Sequence, residues 1–181
     1  ISFDVFPCLC GKTTFDLVAS VERYGIAQQT VVCKNCGLLQ LNPRMSDEEY
    51  RKFYESDIYR TLYESGGIES YTSFYHNNVG QHIFDKINAN FNLTKNHKVL
   101  EIGTGGGWNL IPFRDKDLNA TGLDYSKGLV EMGQKKGLNL IQGGLEKLNE
   151  MYDVIILNHV FEHFTDTLKD IKKIIENLDR E

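Results

Sequence analysis

What the chain lacks narrows its class before any motif is read. No stretch approaches the 18 or more apolar residues of a membrane-spanning helix, and no basic-then-apolar leader precedes the first element. Both absences point to the cytoplasm and away from the membrane. Positive charge is not in excess: 20 Lys and Arg stand against 25 Asp and Glu, for a formal net charge of −5. A non-specific nucleic-acid binder would show a basic face instead. There is no internal repeat, no low-complexity tract and no cysteine beyond Cys36. The first residue is Ile1 rather than methionine, which reads as a natural start lying further upstream. What remains is 181 residues, 41% hydrophobic and 25% charged, enough for one sizeable core plus a small module.

The densest signal is Lys98 to Trp108, K-V-L-E-I-G-T-G-G-G-W. An apolar run (Val99, Leu100, Ile102) stops at a glycine cluster and gives way to a helical pattern, the signature of a buried parallel strand, a tight turn and a helix. Gly103, Gly105, Gly106 and Gly107 permit positive φ and close approach of a ligand to the backbone. Glu101, on the strand just before the turn, argues for a ligand carrying positive charge or hydroxyls. Taken alone the glycines also suit a dinucleotide site, with its pyrophosphate on a helix N-terminus, or a plain tight turn. About 20 residues further on, Ala120 to Asp124 (A-T-G-L-D) reads as a second strand ending in a carboxylate, where a ribose diol is held.

In this order, the acid, G-x-G-x-G and the second acid resemble the class I S-adenosylmethionine-dependent methyltransferases, over roughly Tyr71 to Leu178. The resemblance implies an α/β fold with a Rossmann-like sheet and cofactor contacts from Glu101, Gly103, Gly105 and Asp124. Around this motif, Tyr71, Tyr75, Val79, Ile83, Ile87 and Phe91 recur every four residues and predict a helix covering one face of the sheet. Tyr71 and Tyr75 at its start either line the cofactor pocket or are plain core. Asn109 to Lys116 completes the helix after the glycines, with Pro112 shortening or kinking it. Ser126 caps a helix ending at Lys135-Lys136-Gly137, and Leu138 to Gln142 and Tyr152 to Leu157 are the third and fourth strands.

Two further segments carry the resemblance. Gly143-Gly144-Leu145-Glu146 stands where the family commonly has a Gly-Asp pair whose carboxylate reads the adenine amine. Gly144 occupies the acid's place, so adenine recognition rests on backbone groups or another side chain, with Leu145 beside the cofactor. Asn158-His159-Val160-Phe161-Glu162-His163 resembles the family's N-H-V-L-E-H, over the carboxyl ends of the strands. There Asn158 is expected against the cofactor. His159 is the candidate general base, since an imidazole suits removing a proton from a hydroxyl or carbon acid. Glu162 or His163 either orients it or joins it in binding a divalent metal; the bland alternative is that these residues cap or pack.

Ahead of this lie Cys8, Cys10, Cys33 and Cys36, a C-x-C and a C-x2-C pair, each ending in Cys-Gly. Two such knuckles suit tetrahedral zinc; two disulfides, a redox role and incidental thiols are the alternatives. The lack of a secretion signal weighs against disulfides. Phe15 to Val21 and Gln28 to Val32 read as strands of a ribbon too small to hold a core without its metal. After Asn42-Pro43, Ser46-Asp47-Glu48-Glu49 is a capping box, with Tyr50, Phe53 and Tyr54 as an apolar stripe. The run C-x2-C-G-L-L-Q-L-N-P-R, this helix and the Tyr-rich stretch after it resemble the zinc-binding leader of methyltransferases associated with sugars and small metabolites. In that group the first knuckle usually reads C-P-x-C-G, against P-C-L-C-G here.

The expected organisation is a zinc ribbon (1–45), a helical linker (46–67) with a hinge at Gly66-Gly67, and the N-terminal part of a methyltransferase domain (68–181). In that fold the fourth strand is internal, and an apolar strand left at an edge invites pairing. The chain therefore reads as part of a longer protein, or as one whose edge is covered by a partner or a second copy. The expected activity is in-line methyl transfer from S-adenosylmethionine to a small-molecule acceptor, such as a nucleotide-linked sugar, by holding both in near-attack geometry. A nicotinamide-dependent oxidoreductase is disfavoured by Glu101 and H-V-F-E-H; a zinc-stapled scaffold without catalysis is the third reading.

Overall fold

Val99, Leu100, Glu101 and Ile102 are each at most 4% exposed, which requires a strand covered on both faces. A computed structural model describes residues 3–21, 27–56 and 79–179. The chain divides into two units, 1–52 with 165–168, and 53–164 with 169–181.

In the first unit β1 (Phe3–Asp4) pairs with β5 (Arg44–Met45), and β2 (Phe15–Ala19), β3 (Thr30–Cys33) and β4 (Leu39–Leu41) form an antiparallel three-stranded sheet. The second strand stops at Ala19, short of Val21, after a register shift between Leu17 and Ala19. The run after the second knuckle supplies a third strand. Asn42, 6% exposed, accepts from the Phe6 N–H and donates to the Phe6 carbonyl, both at 3.1 Å, fixing the approach to the first knuckle. Helix α1 (Asp47–Glu55) starts as the capping box predicts: Ser46 Oγ accepts from the Glu49 N–H at 3.4 Å.

The second unit contains α2 (Gln81–Phe91), β6 (Lys98–Ile102), α3 (Ile111–Asp115), β7 (Asn119–Asp124), α4 (Lys127–Lys135), β8 (Asn139–Gln142), β9 (Val154–Leu157) and α5 (Thr167–Glu176), which begins within the short segment grouped with the first unit. Its sheet is parallel throughout, in the order β8-β7-β6-β9. Side chains alternate between faces along each strand. Val99 therefore joins Phe84, Phe113, Val130 and Leu140 under α2, α3 and α4. Leu100, Ile102 and Leu123 turn the other way, with Tyr152 and Ile174 of α5. This is the two-sided α/β arrangement in which ligands gather over the carboxyl ends of the strands, here Ile102, Asp124, Gln142 and Leu157.

Pro112 sits in the first turn of α3, which is five residues long and preceded by a 3-10 turn at Trp108–Leu110. In α2 the four-residue stripe is corrected: Phe91 is 56% exposed, while Phe84, outside the stripe, is 4% exposed. Tyr71, Tyr75 and the expected hinge at Gly66-Gly67 lie outside the described residues. Beside the foot of β9, Tyr152 makes a parallel bridge to Leu178. Among the described residues no helix is long and apolar enough to cross a membrane.

Candidate active site

The turn after β6 is built around a buried acid. Glu101 is 1% exposed; its Oε2 accepts from Thr104 Oγ1 at 2.5 Å and its Oε1 from Asn109 Nδ2 at 2.7 Å. Glu101 therefore braces both ends of the glycine turn, its carboxylate taken up by Thr104 and Asn109 and without a surface of its own. Neither donor was singled out in the sequence, although a carboxylate on a buried strand demands donors nearby.

Burial pushes Glu101 up to about 7, against the Asn109 and Thr104 hydrogen bonds and with the Asp124 charge adding to the rise. Its folded pKa thus lies above the ordinary value of 4.5. The stabilisation it gives is complete below that value and is lost as pH rises through about 7. At about 1.4 kcal/mol per pH unit the whole swing is roughly 3 kcal/mol. Thermal midpoints of the wild type should accordingly fall relative to Glu101→Gln between pH 5 and 8. A difference constant with pH would mean that Glu101 ionises normally.

Gly103 carries φ +67°, and a Cβ there would meet Val160 Cγ2 at 2.3 Å, so the β6 turn and the β9 loop touch at this residue. Gly105, also at positive φ, donates its N–H to Asp124 Oδ2 at 2.8 Å, and the Ser126 N–H donates to Asp124 Oδ1 at 2.8 Å. Ser126 in turn caps α4, accepting from the Leu129 N–H at 3.4 Å. The structure thus brings Gly103, Gly105 and Asp124 together at the carboxyl ends of β6 and β7. Leu145, half-buried, opens a 3-10 turn after β8. Asn158, also half-buried, directly follows β9.

Beyond Asn158 the chain takes a left-handed turn at His159, φ +55°, a conformation uncommon for a non-glycine residue and frequent at functional sites. The turn leaves the His159 side chain 76% exposed, its Nδ1 3.6 Å from Glu162 Oε1, longer than a hydrogen bond. His163 takes a different partner: its Nδ1 lies 3.0 Å from the Tyr54 hydroxyl. Burial of the ring holds His163 below the ordinary imidazole value, opposed by the Glu162 charge. His159, Glu162 and His163 do not converge as ligands of one metal. Among the described residues the four cysteines are the one group of three or more that does.

In that quartet all four Sγ atoms lie within 4.8 Å of one another, with Cys8 and Cys36 at 3.4 Å and Cys10 and Cys33 at 3.7 Å. Tetrahedral zinc with sulfur at 2.3 Å needs thiolates about 3.8 Å apart, so the donor set and spacing fit. The first cysteine of each pair is buried and the second exposed. The short knuckle closes as the longer one does, one residue sooner: Gly11 N–H donates to the Cys8 carbonyl at 2.7 Å, and Gly37 N–H to the Cys33 carbonyl at 2.9 Å. The Lys12 N–H draws Cys10 down to about 6. Cys8 rises to about 12 because burial and the three neighbouring thiols outweigh the Cys10 N–H directed at it. A dication would neutralise this crowding, since a metal-bound thiol is deprotonated outright.

Comparison with known proteins places this geometry. Two curated relatives align with the sequence. The ubiquinone biosynthesis O-methyltransferase of Rickettsia canadensis is 26% identical over 106 residues, 54% of this chain and 45% of its own. The uncharacterized methyltransferase YcgJ of Bacillus subtilis is 30% identical over 88 residues, 43% and 35% of the two chains. The aligned residues thus span less than half the length of either relative. Magnesium protoporphyrin IX methyltransferase from Synechocystis PCC 6803, solved with bound SAH and with bound SAM, shares the fold. Both structures have a TM-score of 0.60, at 21% and 22% identity, covering 75% and 77% of this chain and 69% and 75% of theirs. The sequence model of the methyltransferase domain matches residues 75–179, more than half of the chain, and the chain belongs to that family.

Proposed function

We propose that the chain binds S-adenosylmethionine over the carboxyl ends of β6, β7 and β8 and transfers its methyl group to a small-molecule acceptor beside β9. The observation that carries this reading is the Asp124 carboxylate at the end of β7, set against the Gly105 N–H of the turn after β6. A carboxylate in that position accepts from both hydroxyls of a ribose, and the open backbone at Gly105 admits the rest of the ligand, with Gly103 keeping the turn against Val160. The cofactor, when bound, supplies a sulfonium-activated methyl group. Glu101 holds Thr104 and Asn109 so that the turn keeps its shape, and Leu145 and Asn158 flank the ligand from the β8 and β9 loops. Tyr71 belongs to the same proposed contact set on the sequence resemblance alone.

On the acceptor side His159 takes the proton from an acceptor hydroxyl or carbon acid, and Glu162, on the next turn, stabilises the imidazolium that forms. The relatives' names point to small organic acceptors. The likeness of the Cys33–Arg44 segment to the leaders of sugar methyltransferases supports a nucleotide-linked sugar. Cys8, Cys10, Cys33 and Cys36 are assigned as ligands of one zinc, which ties the two knuckles together. The net charge of −5 weighs against a nucleic-acid partner.

Asp124→Ala removes the ribose acceptor and should weaken S-adenosylmethionine binding by about 1–3 kcal/mol, tenfold to a hundredfold. Asp124→Asn, which keeps one acceptor oxygen, should lie between. Calorimetry alongside a thermal melt separates this loss from any loosening at Gly105 and Ser126. Unchanged affinity in a folded Asp124→Ala protein would move the ribose elsewhere.

A further inference from the structure

The two cysteine knuckles are unequal. Cys8 and Cys10 have one residue between them, Cys33 and Cys36 two, so the short knuckle has one backbone amide fewer to turn toward a sulfur. Four thiolates around one dication leave excess negative charge on the cluster, which hydrogen-bond donors must spread. Cys8 and Cys33 are each 2% exposed, whereas Cys10, on the short knuckle, faces solvent. Its sulfur is met from two sides. The Lys12 N–H is directed at it from its own knuckle. The second donor comes from the other knuckle: Asn35 Nδ2 lies 3.6 Å from Cys10 Sγ, an ordinary length for so large an acceptor atom. Asn35 is one of the two residues between Cys33 and Cys36, and its neighbours hold it for this reach. The Lys34 N–H donates to the Thr14 carbonyl at 3.1 Å, and the Lys34 ammonium meets Asp16 at 2.7 Å. The Cys33 N–H donates to the Leu38 carbonyl at 2.9 Å and closes the base of the knuckle.

We propose that Asn35 holds and shields the Cys10 ligand, its side-chain amide supplying from the long knuckle the donor that the short one lacks. The proposal rests on the zinc reading and deepens it by naming a residue outside the four ligands that sets the metal's hold. A thiolate is the nucleophilic form of cysteine, and an exposed one is open to electrophiles. A donor on that sulfur draws off electron density, so Asn35 both tightens the site and quiets its reactive atom. The cluster is thereby a structural centre rather than a reactive one. Asn35 is itself exposed, so its replacement leaves no cavity in the ribbon.

The test measures zinc affinity by competition with a chromogenic chelator. Alongside it, the zinc-loaded full chain is alkylated with iodoacetamide, and each cysteine is followed by peptide mass. Asn35→Ala should weaken zinc binding about tenfold to a hundredfold, the usual loss when a residue supporting a metal ligand is removed. It should speed initial alkylation of Cys10 about threefold to tenfold and leave that of Cys36, also exposed, within about twofold. Asn35→Asp has nearly the same shape but puts an acceptor and a negative charge where the donor was, and should exceed both effects. A general loosening of the ribbon would speed Cys10 and Cys36 together. That result, or zinc affinity and Cys10 reactivity unchanged in both variants, overturns the assignment to Asn35. If the wild type takes up no zinc, the metal reading falls and this assignment with it.

Discussion

Stripping metal from the purified protein should melt the ribbon of β2, β3 and β4, and elemental analysis before stripping should find about one zinc per chain. The reason is how little apolar surface that unit buries among its described residues. In 3–21 and 27–45 the buried apolar side chains are Cys8, Val31 and Cys33, while Val5, Leu17, Val18 and Leu39 are more than half exposed. A module of this size cannot offset its own chain entropy by burial. Structural zinc in small thiolate sites contributes about 10–16 kcal/mol of apparent binding free energy at neutral pH, all of it folding free energy. Cys33→Ala, which removes a buried ligand, should lose both the metal and the ribbon's amide-exchange protection. A metal-free chain whose ribbon amides stay protected would show that the four thiols hold the knuckles without zinc.

His159→Ala should lower methyl transfer to a hydroxyl or carbon acceptor by about 10²–10⁴-fold, the usual loss when a general base is removed, and leave S-adenosylmethionine affinity unchanged. The split between the two readouts is what identifies the role. His159 follows β9 in a left-handed turn with its side chain 76% exposed, so its removal costs little packing. A drop in turnover with binding intact therefore reports the proton transfer. The assay uses nucleotide-linked sugars bearing a free hydroxyl or an acidic carbon as acceptors. Turnover unchanged with such an acceptor would remove His159 from the chemistry and turn attention to His163, already held by Tyr54 at 3.0 Å.

The parallel sheet was legible because each strand is an apolar run punctuated by glycine or a carboxylate: Val99 to Ile102 before Gly103, and Ala120 to Asp124 before Ser126. Periodicity marks such segments without any knowledge of their partners. The third ribbon strand, β4, was less legible, since three residues carry too little pattern. Phe84 was missed because a strict four-residue step drifts about 40° at each repeat around a helix of 3.6 residues per turn. By Phe91 the stripe has rotated away from the sheet. The environment of Glu101 was legible only as a demand. An acid on a buried strand needs donors, but that they are Thr104 and Asn109 depends on how the glycine turn folds back. Asn35 was hidden for the same reason: its reach across 25 residues to Cys10 exists only once the two knuckles meet.

The most direct measurement is a calorimetric titration of the purified chain with S-adenosylmethionine and, separately, with NAD. Asp124 and the glycine turn are features that both ligand classes use, so the titration decides between them where geometry alone does not. The account predicts one S-adenosylmethionine per chain, binding lost or sharply weakened in Asp124→Ala, and no heat with NAD. Saturable binding of NAD with none of S-adenosylmethionine would contradict it and make the site that of an oxidoreductase.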